Sequence, residues 1–350
     1  MPGSERIAVV LFNLGGPDNQ DAVEPFLYNL FSDPAIIRVP NVVRQLIAKI
    51  ISSRRGPMAR ANYALMGGGS PILPETEAQA AALEAGLGGP EEVRVFIAMR
   101  YWRPFSAETA KAVKAFAPAR IVLLPLYPQF STTTTDSSLK EWRHAAEAAG
   151  LGDTPAVTVC CYPRNQGFVA AHAAMIAEAL GKAKGPVRVL FSAHGLPESI
   201  VKAGDPYQWQ VEATVDTVAK RVKEIRSGAD FDWRICYQSR VGPMKWLQPS
   251  TDAEIRRAGG EKTGLIITPI AFVSEHVETL VELDIEYSKL AQEAGVPSYQ
   301  RVPALGTADA FIAGLKDIVG RALARKPGEI ASDEGGRLCP AGFAGCPCTG

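Results

Sequence analysis

The sequence carries no excess of charge of either sign. It has 37 Lys and Arg residues against 37 Asp and Glu residues, so its formal net charge at pH 7 is zero. Proteins that bind nucleic acids through phosphate contacts usually carry a basic excess. The balance therefore argues against a nucleic-acid-binding function.

Long hydrophobic runs are also missing. No uninterrupted apolar stretch reaches the roughly 18 residues that a membrane-spanning helix requires. The apolar run at residues 7–12 is too short for the core of a cleaved signal peptide. We therefore expect an intracellular, cytoplasmic protein.

The length and the hydrophobic pattern favour two α/β domains. A chain of 350 residues exceeds the usual size of one hydrophobic core. Short runs rich in Val, Ile and Leu alternate with helical patterns, which is typical of a parallel sheet covered on both faces. The predicted strands span residues 7–13, 93–99, 121–126, 157–161, 187–193, 234–238 and 265–268. The clearest predicted helices span residues 74–87, 107–115, 167–180, 207–225 and 274–294.

The two halves of the sequence resemble each other through short matches. Leu-Phe at 11–12 leads to Gly-Pro at 16–17, and Leu-Phe at 190–191 leads to Leu-Pro at 196–197. We expect two similar domains, 1–165 and 166–325, followed by a Gly- and Pro-rich tail at 326–350 that something else must hold. Functional sites in such sheets lie beyond the carboxyl ends of the strands.

A histidine follows one of these strands. The segment VLFSAHGLP at 189–197 places His194 at the end of a buried strand, just before a Gly-Leu-Pro turn. An imidazole projecting into a cleft can accept a proton or bind a metal near neutral pH. A surface-turn histidine without chemistry is the alternative.

Carboxylates recur in the segment that contains a second histidine, His276. At about 100° per residue, Glu275, Glu278, Glu282 and Glu286 fall on one stripe of a helix. Such a row repels itself unless a cation occupies it, so it is suited to relaying a divalent ion. A solvated acidic face is the alternative.

Two further segments indicate binding surfaces. Arg100-Tyr101-Trp102 and YPQFS at 127–131 each follow a strand and offer a guanidinium and aromatic rings to a flat, anionic ligand, although core packing also explains the aromatics. The segment 25–55 is either buried core or an exposed apolar lip that touches a membrane or an oily substrate. Its apolar helix face comprises Val42, Val43, Leu46, Ile47, Ile50 and Ile51, and Arg54 and Arg55 close it.

The six cysteines are distributed unevenly along the chain. Cys160 and Cys161 are adjacent, Cys236 is alone, and Cys339, Cys346 and Cys348 lie near the end. In a reducing compartment this grouping favours metal ligation over a disulfide framework.

These motifs together resemble ferrochelatase. The similarity rests, in order, on FNLGGP (12–17), GGGSP (67–71), YPQFS (127–131), SAHGLP (192–197), YQSRVGP (237–243) and EHVETLVELD (275–284), and it runs from about residue 7 to 323. The resemblance implies two Rossmann-like domains with parallel four-stranded sheets around a porphyrin cleft. It also implies ATP-independent insertion of Fe2+ into protoporphyrin IX to form protohaem, the final step of haem biosynthesis.

The resemblance assigns roles to particular residues. The expected catalytic residues are His194, Glu278 and His276. Together with the acidic stripe described above, the expected metal ligands are His194, Glu275, Glu278, Glu282 and Glu286. The expected porphyrin contacts are Leu14, Arg54, Arg55, Ser70, Arg100, Tyr101, Tyr127, Trp246 and Phe272. The two arginines are expected at the mouth of the pocket, near the porphyrin propionates.

The tail resembles that of family members that carry a [2Fe-2S] cluster. Such a cluster takes four thiolates, and Cys339, Cys346 and Cys348 supply three. Animal members take the fourth from the turn after YPQFS, which here reads STTT at 131–134 and has no cysteine. Cys160 or Cys161 is therefore expected to replace it. A thiol tail without a cluster and a mononuclear zinc site are the alternatives.

Other functions remain compatible with the same sequence. A chelatase of this fold could act on coproporphyrin III, or could insert cobalt into another tetrapyrrole. A tetrapyrrole carrier without turnover is a third possibility. The apolar segment 25–55 adds the expectation of peripheral contact with the inner face of a membrane.

Overall fold

A computed structural model describes residues 5–89, 91–239, 242 and 244–348 of the chain. Within the quoted motif at 237–243, residues 240, 241 and 243 therefore lie outside the described residues. The strands are β1 Ile7–Asn13, β2 Val93–Met99, β3 Arg120–Pro125, β4 Ala156–Val159, β5 Val187–His194, β6 Asp232–Gln238, β7 Gly264–Pro269, β8 Tyr299–Arg301 and β9 Ile330–Ala331.

The helices complete the α/β alternation. They are α1 Val23–Phe31, α2 Asn41–Ala64, α3 Ile72–Gly86, α4 Ser106–Phe116, α5 Thr135–Ala148, α6 Gln166–Lys182, α7 Glu198–Lys202, α8 Tyr207–Ile225, α9 Thr251–Gly260, a π-helix (π1) Glu278–Glu286, α10 Tyr287–Glu293 and α11 Asp309–Leu323. The described helices include none whose length and hydrophobicity would let it cross a bilayer.

The chain forms two compact units. Unit 1 contains the described residues up to Cys161, then Leu315–Arg337 and residues 347–348, and unit 2 contains Tyr162–Gly314 and Leu338–Cys346. Two α/β units with parallel sheets were predicted, and this fold class is confirmed. The boundaries expected near residues 165 and 325 stay predictions.

The sheet of unit 1 has five parallel strands in the order β2-β1-β3-β4-β9. Its central strand β1 is apolar and buried from Ala8 to Phe12, as expected for a parallel strand covered on both faces. Four strands were predicted for each sheet, which is wrong for this one. The fifth, β9, is only two residues long, and so short a segment shows no hydrophobic period.

The tail is held in part by this fifth strand. Residues 330–331 pair with Thr158 and Val159 of β4. The guanidinium of Arg325 donates to the backbone carbonyls of Ser332 and Asp333 at 2.5 and 3.0 Å. The first part of the tail therefore has its own backbone anchorage, which its composition did not predict.

The sheet of unit 2 has four parallel strands in the order β6-β5-β7-β8. α9 and α10 pack on one face, where Leu190, Ile255 and Leu283 belong to the buried core. One continuous helix was predicted for residues 274–294, whereas π1 and α10 occupy only 278–293. A π-helix has i→i+5 hydrogen bonds, and therefore it does not follow the spacing of 100° per residue used for the prediction.

Candidate active site

Strand β5 carries a histidine at its carboxyl end. β5 is buried from Arg188 to Ala193, and the side chain of its last residue, His194, is 40% exposed. The backbone N–H of Gly195 donates to the carbonyl of Gln238 at 2.7 Å, and the Tyr207 hydroxyl donates to the carbonyl of His194 at 3.1 Å. The backbone at His194 is therefore fixed, while its ring stays accessible.

Glu278 holds the imidazole of His194. Oε2 of Glu278, the first residue of π1, lies 2.7 Å from Nδ1 of His194. Burial alone would lower the pKa of His194, but the charge of Glu278 and this hydrogen bond outweigh burial and raise it. Burial would likewise raise the pKa of Glu278, and the same pairing lowers it to about 2. Each group thus favours the charged form of the other, and together they can hold a proton at the end of β5.

Ser239 ties this pair to a second carboxylate. Its φ of +61° lies in the left-handed region, which non-glycine residues seldom adopt. Its backbone N–H donates to Oε1 of Glu282 at 2.8 Å. Its hydroxyl lies against Oε2 of Glu282 and 3.1 Å from Oε2 of Glu278. The unusual backbone conformation thus aims two donors at the carboxylates of successive turns of π1.

Negative charge accumulates at this edge of the sheet. Burial, and then the charge of Glu278, raises the pKa of Glu282, and the charge of Glu282 in turn favours protonation of His194. Among the described residues, no three His, Cys, Asp or Glu side chains are grouped as a ready-made metal site.

The predicted stripe of four carboxylates is not formed. Glu275 precedes π1, and its Oε1 accepts hydrogen bonds from the Arg301 guanidinium at 2.8 Å and from the Ala304 N–H at 2.9 Å. Burial would raise the pKa of Glu275, but its hydrogen bonds to Thr279 and Arg301 lower it. Glu286 lies exposed at the end of π1. Glu278 and Glu282 therefore converge on one place, whereas Glu275 is engaged elsewhere.

His276 lies behind an aromatic ring. It is buried, and its ring centroid is 4.5 Å from that of Phe272, which is itself 6.3 Å from that of His194. Burial dominates and lowers the pKa of His276. Phe272 thus packs against both imidazoles. Direct chemistry at His276 stays a prediction.

Arg100 and Tyr101 meet a buried carboxylate in unit 1. The Tyr101 hydroxyl donates to Oδ2 of Asp33 at 2.7 Å, and the Arg100 guanidinium lies 3.0 Å from the same oxygen. The hydroxyl of Ser137 also donates to Asp33, and Arg100 Nε donates to that hydroxyl at 2.7 Å. Tyr101 is only 1% exposed. Asp33, which the sequence did not single out, therefore fixes both residues; their contact with porphyrin stays a prediction.

The other expected porphyrin contacts are distributed over both units. In unit 1, the Leu14 carbonyl accepts from the Tyr101 N–H at 2.9 Å, and the Ser70 N–H donates to the Pro17 carbonyl at 2.7 Å. Tyr127 is half-buried there. In unit 2, Trp246 forms a backbone bridge with Pro197. These positions are ordered by backbone contacts, and their ligand roles stay predictions.

The segment 25–55 presents an exposed apolar surface. Val42, Leu46 and Ile50 of α2 are 82%, 63% and 43% exposed. Arg54 is exposed, whereas the Arg55 guanidinium lies over the ring of Phe31, 5.9 Å from its centroid. The apolar face of α2 is therefore exposed, whereas Phe26 and Leu27 of α1 are buried; contact of the exposed face with a membrane or substrate stays a prediction.

The five cysteines expected to bind a cluster are buried. In unit 1, Sγ of Cys160 lies 3.2 Å from Sγ of Cys348 and 3.6 Å from Sγ of Cys161. In unit 2, Sγ of Cys339 accepts from the side-chain amide of Gln210 at 3.1 Å, and Cys346 lies seven residues further along the chain. Thiols are the donors that an iron–sulfur cluster takes, but the described residues form no group of three or more metal-binding side chains, so a shared cluster stays a prediction.

Some residues of the site gave no signal in the sequence. Ser239 belongs to a quoted motif, but a serine after a strand has no distinctive chemistry. Gln238 donates to the Glu278 carbonyl at 3.0 Å and to Glu282 at 3.1 Å, and Arg301 contacts Glu275 across 26 residues of chain. Such partners are set by tertiary structure. Only an expectation that strand ends converge could have drawn attention to Gln238.

Comparisons with known proteins agree with the geometry. The model of the ferrochelatase family matches residues 6–323. Ferrochelatase from Caulobacter vibrioides is 57% identical over 99% of this chain and 98% of its own length. Ferrochelatase from Phenylobacterium zucineum is 56% identical, covering 98% of both chains, and that from Rickettsia bellii is 49% identical, covering 98% and 95%.

Solved structures show the same fold at low identity. SirB from Bacillus subtilis with Fe3+ superimposes with a TM-score of 0.54 at 13% identity, covering 91% of this chain and 96% of SirB. The sirohydrochlorin chelatase SirB in complex with cobalt gives 0.52 at 10% identity, with 91% and 94% covered. These neighbours support the fold alone. With the family match over most of its length and relatives above half identity, the chain belongs to the ferrochelatase family.

Proposed function

We propose that this chain inserts Fe2+ into protoporphyrin IX to form protohaem, with His194 and Glu278 as the central pair. The observation that carries the proposal is the 2.7 Å contact between His194 Nδ1 and Glu278 Oε2 at the end of β5. A base facing a carboxylate is what metal insertion into a porphyrin requires. The chelatase-like fold and the family membership support the same reaction.

The chemistry balances without a cofactor. Insertion releases two pyrrole protons while four nitrogens bind one Fe2+, so the macrocycle needs a proton acceptor but no phosphoryl donor. The accessible imidazole of His194 accepts the two protons one after the other, passing the first to solvent before it takes the second, and Glu278 stabilises the imidazolium each time. Because Glu278 raises the pKa of His194, the ring is a stronger base than an isolated histidine. Protons would then leave toward solvent from this exposed edge.

The two carboxylates also favour a divalent ion. Glu278 and Glu282 lie beside one another on π1 and share the Ser239 hydroxyl. Burial and then the charge of Glu278 raise the pKa of Glu282, and a divalent cation near the two carboxylates would offset that charge. We propose this edge as the delivery point for Fe2+.

We propose that the buried cysteines hold a [2Fe-2S] cluster, with Cys160 as the ligand outside the tail. Cys160 is favoured because its sulfur lies 3.2 Å from that of Cys348. Cys339 and Cys346 would supply the other two thiolates. When bound, such a cluster supplies a one-electron redox centre and a covalent tie between tail and core. This chain's own contribution is to bury the thiols and anchor the tail through β9.

We propose that α2 makes peripheral contact with the inner face of a membrane. Its exposed Val42, Leu46 and Ile50 offer apolar side chains to the acyl boundary. The nearby basic residues Lys49 and Arg54 suit anionic headgroups. The same lip could admit a hydrophobic porphyrin from the bilayer.

The proposed function is tested by an anaerobic assay of purified protein with Fe2+ and protoporphyrin IX. Loss of porphyrin fluorescence and gain of haem absorbance are followed for wild type, His194→Ala and His144→Ala. His144 is an exposed histidine on α5 and serves as the matched control. We expect turnover by wild type and the control, and a loss of about 100-fold or more in His194→Ala.

The result that contradicts the proposal is porphyrin binding without turnover in wild type. Coproporphyrin III and Co2+ are assayed in parallel, because preferred turnover of either would reassign the substrate within the same fold. Undiminished turnover by His194→Ala would remove His194 from the mechanism.

A further inference from the structure

We propose that Gln238 is a positioning residue that holds the carboxylates of π1 in register with His194. Gln238 is the last residue of β6 and is completely buried. Its side-chain amide donates to the backbone carbonyl of Glu278 at 3.0 Å and to Oε2 of Glu282 at 3.1 Å. One amide therefore grips two successive turns of the π-helix. This inference rests on the proposed roles of His194 and Glu278.

The orientation of the amide is imposed from the interior of unit 2. The hydroxyl of Ser192, on β5, donates to Oε1 of Gln238 at 2.7 Å. Thr251 Oγ1 lies 3.0 Å from the Ser192 hydroxyl and 3.3 Å from Sγ of Cys236. All of these side chains are completely buried. A flipped amide would bring Oε1 against the carboxylate and leave the Ser192 hydroxyl without its acceptor, so the donors must face Glu282.

The hydrogen bonds around Gln238 affect the carboxylates of Glu282 and Glu278 differently. Glu282 accepts from the Ser239 N–H at 2.8 Å, the Tyr287 hydroxyl at 3.0 Å, the Ser239 hydroxyl and the Gln238 amide. Four donors fill the roughly four acceptor sites of a carboxylate. Glu282 is therefore fastened as a fixed negative charge.

Within the described residues, the side-chain hydrogen bonds of Glu278 use only one of its two carboxylate oxygens. Its hydrogen bonds to His194 and Ser239 both use Oε2, and within the described residues no hydrogen bond occupies Oε1. Gln238 holds the backbone carbonyl of the same residue. The available oxygen of Glu278 is thus kept beside the imidazole by a buried amide that itself touches neither substrate. Gln238 therefore has a positioning role. The expectation that Glu282 is a metal ligand is revised, because its acceptor sites are already filled.

Loss of the amide should act on the metal step. Gln238→Leu removes both donors and leaves the Glu278 carbonyl and Glu282 short of partners, so the first turns of π1 shift. Substitution of residues that orient metal ligands typically reduces metal affinity or activity by about 10- to 100-fold. We expect a change of that size in kcat/KM for Fe2+, carried largely by KM. The dissociation constant for protoporphyrin should stay within about twofold, since no porphyrin contact is altered.

The test compares Gln238→Leu, Ser192→Ala and Thr214→Val with wild type. Ser192→Ala leaves both carboxylates untouched and only releases the amide, so a smaller rise in the KM for Fe2+ is expected. Thr214→Val removes a buried hydroxyl of α8 that donates to Pro163 and is the control for general destabilisation. Kinetic constants for Fe2+, porphyrin affinity by fluorescence titration and melting temperature are measured for each.

Either of two results would overturn the inference. One is an unchanged KM and kcat for Fe2+ in both Gln238→Leu and Ser192→Ala. The other is a parallel loss of metal and porphyrin parameters that follows melting temperature, as in Thr214→Val. If Gln238→Leu does not fold, Ser192→Ala decides alone. His194→Ala in the same assay separates this inference from the proposed function, since normal turnover there would contradict the catalytic pair itself.

Discussion

A buried histidine away from the active site makes the stability of unit 2 dependent on pH. His172 of α6 is completely buried, its ring packs edge-on against Phe168, and within the described residues neither ring nitrogen has a hydrogen-bond partner. Burial lowers the pKa of His172 to about 3. The folded protein therefore keeps this ring neutral at pH values where an unfolded chain protonates it.

The sign and size of the effect follow from linkage. An unfolded histidine titrates near pH 6.5, so below that pH the unfolded state binds a proton that the folded state does not. Stability is present above pH 6.5 and is lost progressively as the pH falls toward 3. Between pH 7.5 and pH 5 this one residue should reduce the free energy of unfolding by about 2 kcal/mol.

The assay is urea unfolding at pH 7.5, 6 and 5 for wild type, His172→Leu and His144→Leu. The three proteins have the same carboxylates, so the difference between variants isolates the histidine. We expect His172→Leu to gain about 2 kcal/mol relative to wild type between pH 7.5 and pH 5, and the exposed His144→Leu to gain nothing. If the pH dependences of wild type and His172→Leu coincide, the reasoning is refuted.

Three further predictions concern the lip, the cysteines and the loop before π1. Arg301→Met removes the partner of Glu275 and should lower the free energy of unfolding by about 2 kcal/mol; an unchanged urea midpoint would contradict this. Leu46→Asp should weaken sedimentation with anionic vesicles by about tenfold or more, and equal sedimentation would argue against the lip. Cys160→Ser should abolish visible cluster absorbance and the associated iron content while Cys161→Ser retains both, and the reverse pattern would exchange the two ligands.

Much of the fold could be predicted from the sequence because parallel strands are continuous apolar runs. Strands β1 and β2 were predicted with their observed bounds, and the other five predicted strands lie within two residues of theirs. Neither β8 nor β9 was predicted, because segments of two or three residues show no hydrophobic pattern. The pairing of β9 with Thr158 and Val159 also depends on where the tail returns in space. The π-helix was missed because it differs from an α-helix in its backbone hydrogen bonds, and the side-chain types in the sequence do not reveal that difference.

For the candidate site, the sequence predicted which kinds of chemical group are present but not which of them come together. A histidine at a strand end and glutamates in a later helix indicated proton and metal chemistry, but His194 and Glu278 are 84 residues apart and only tertiary structure joins them. In the sequence Glu275 cannot be distinguished from Glu278, and only the structure shows that Arg301 pairs with Glu275. Gln238 lies in the quoted motif at 237–243, but its supporting role, like that of the carboxylate of Asp33, comes from burial and orientation, which the sequence does not show.

The central claim is that His194 and Glu278 act as a unit. A double-mutant cycle on anaerobic single-turnover insertion of Fe2+ tests it most directly, using His194→Ala, Glu278→Gln and the double variant. Because each residue works through the other across 2.7 Å, the double variant should be no slower than the slower single variant. Rate losses that multiply would show independent roles and would contradict the account.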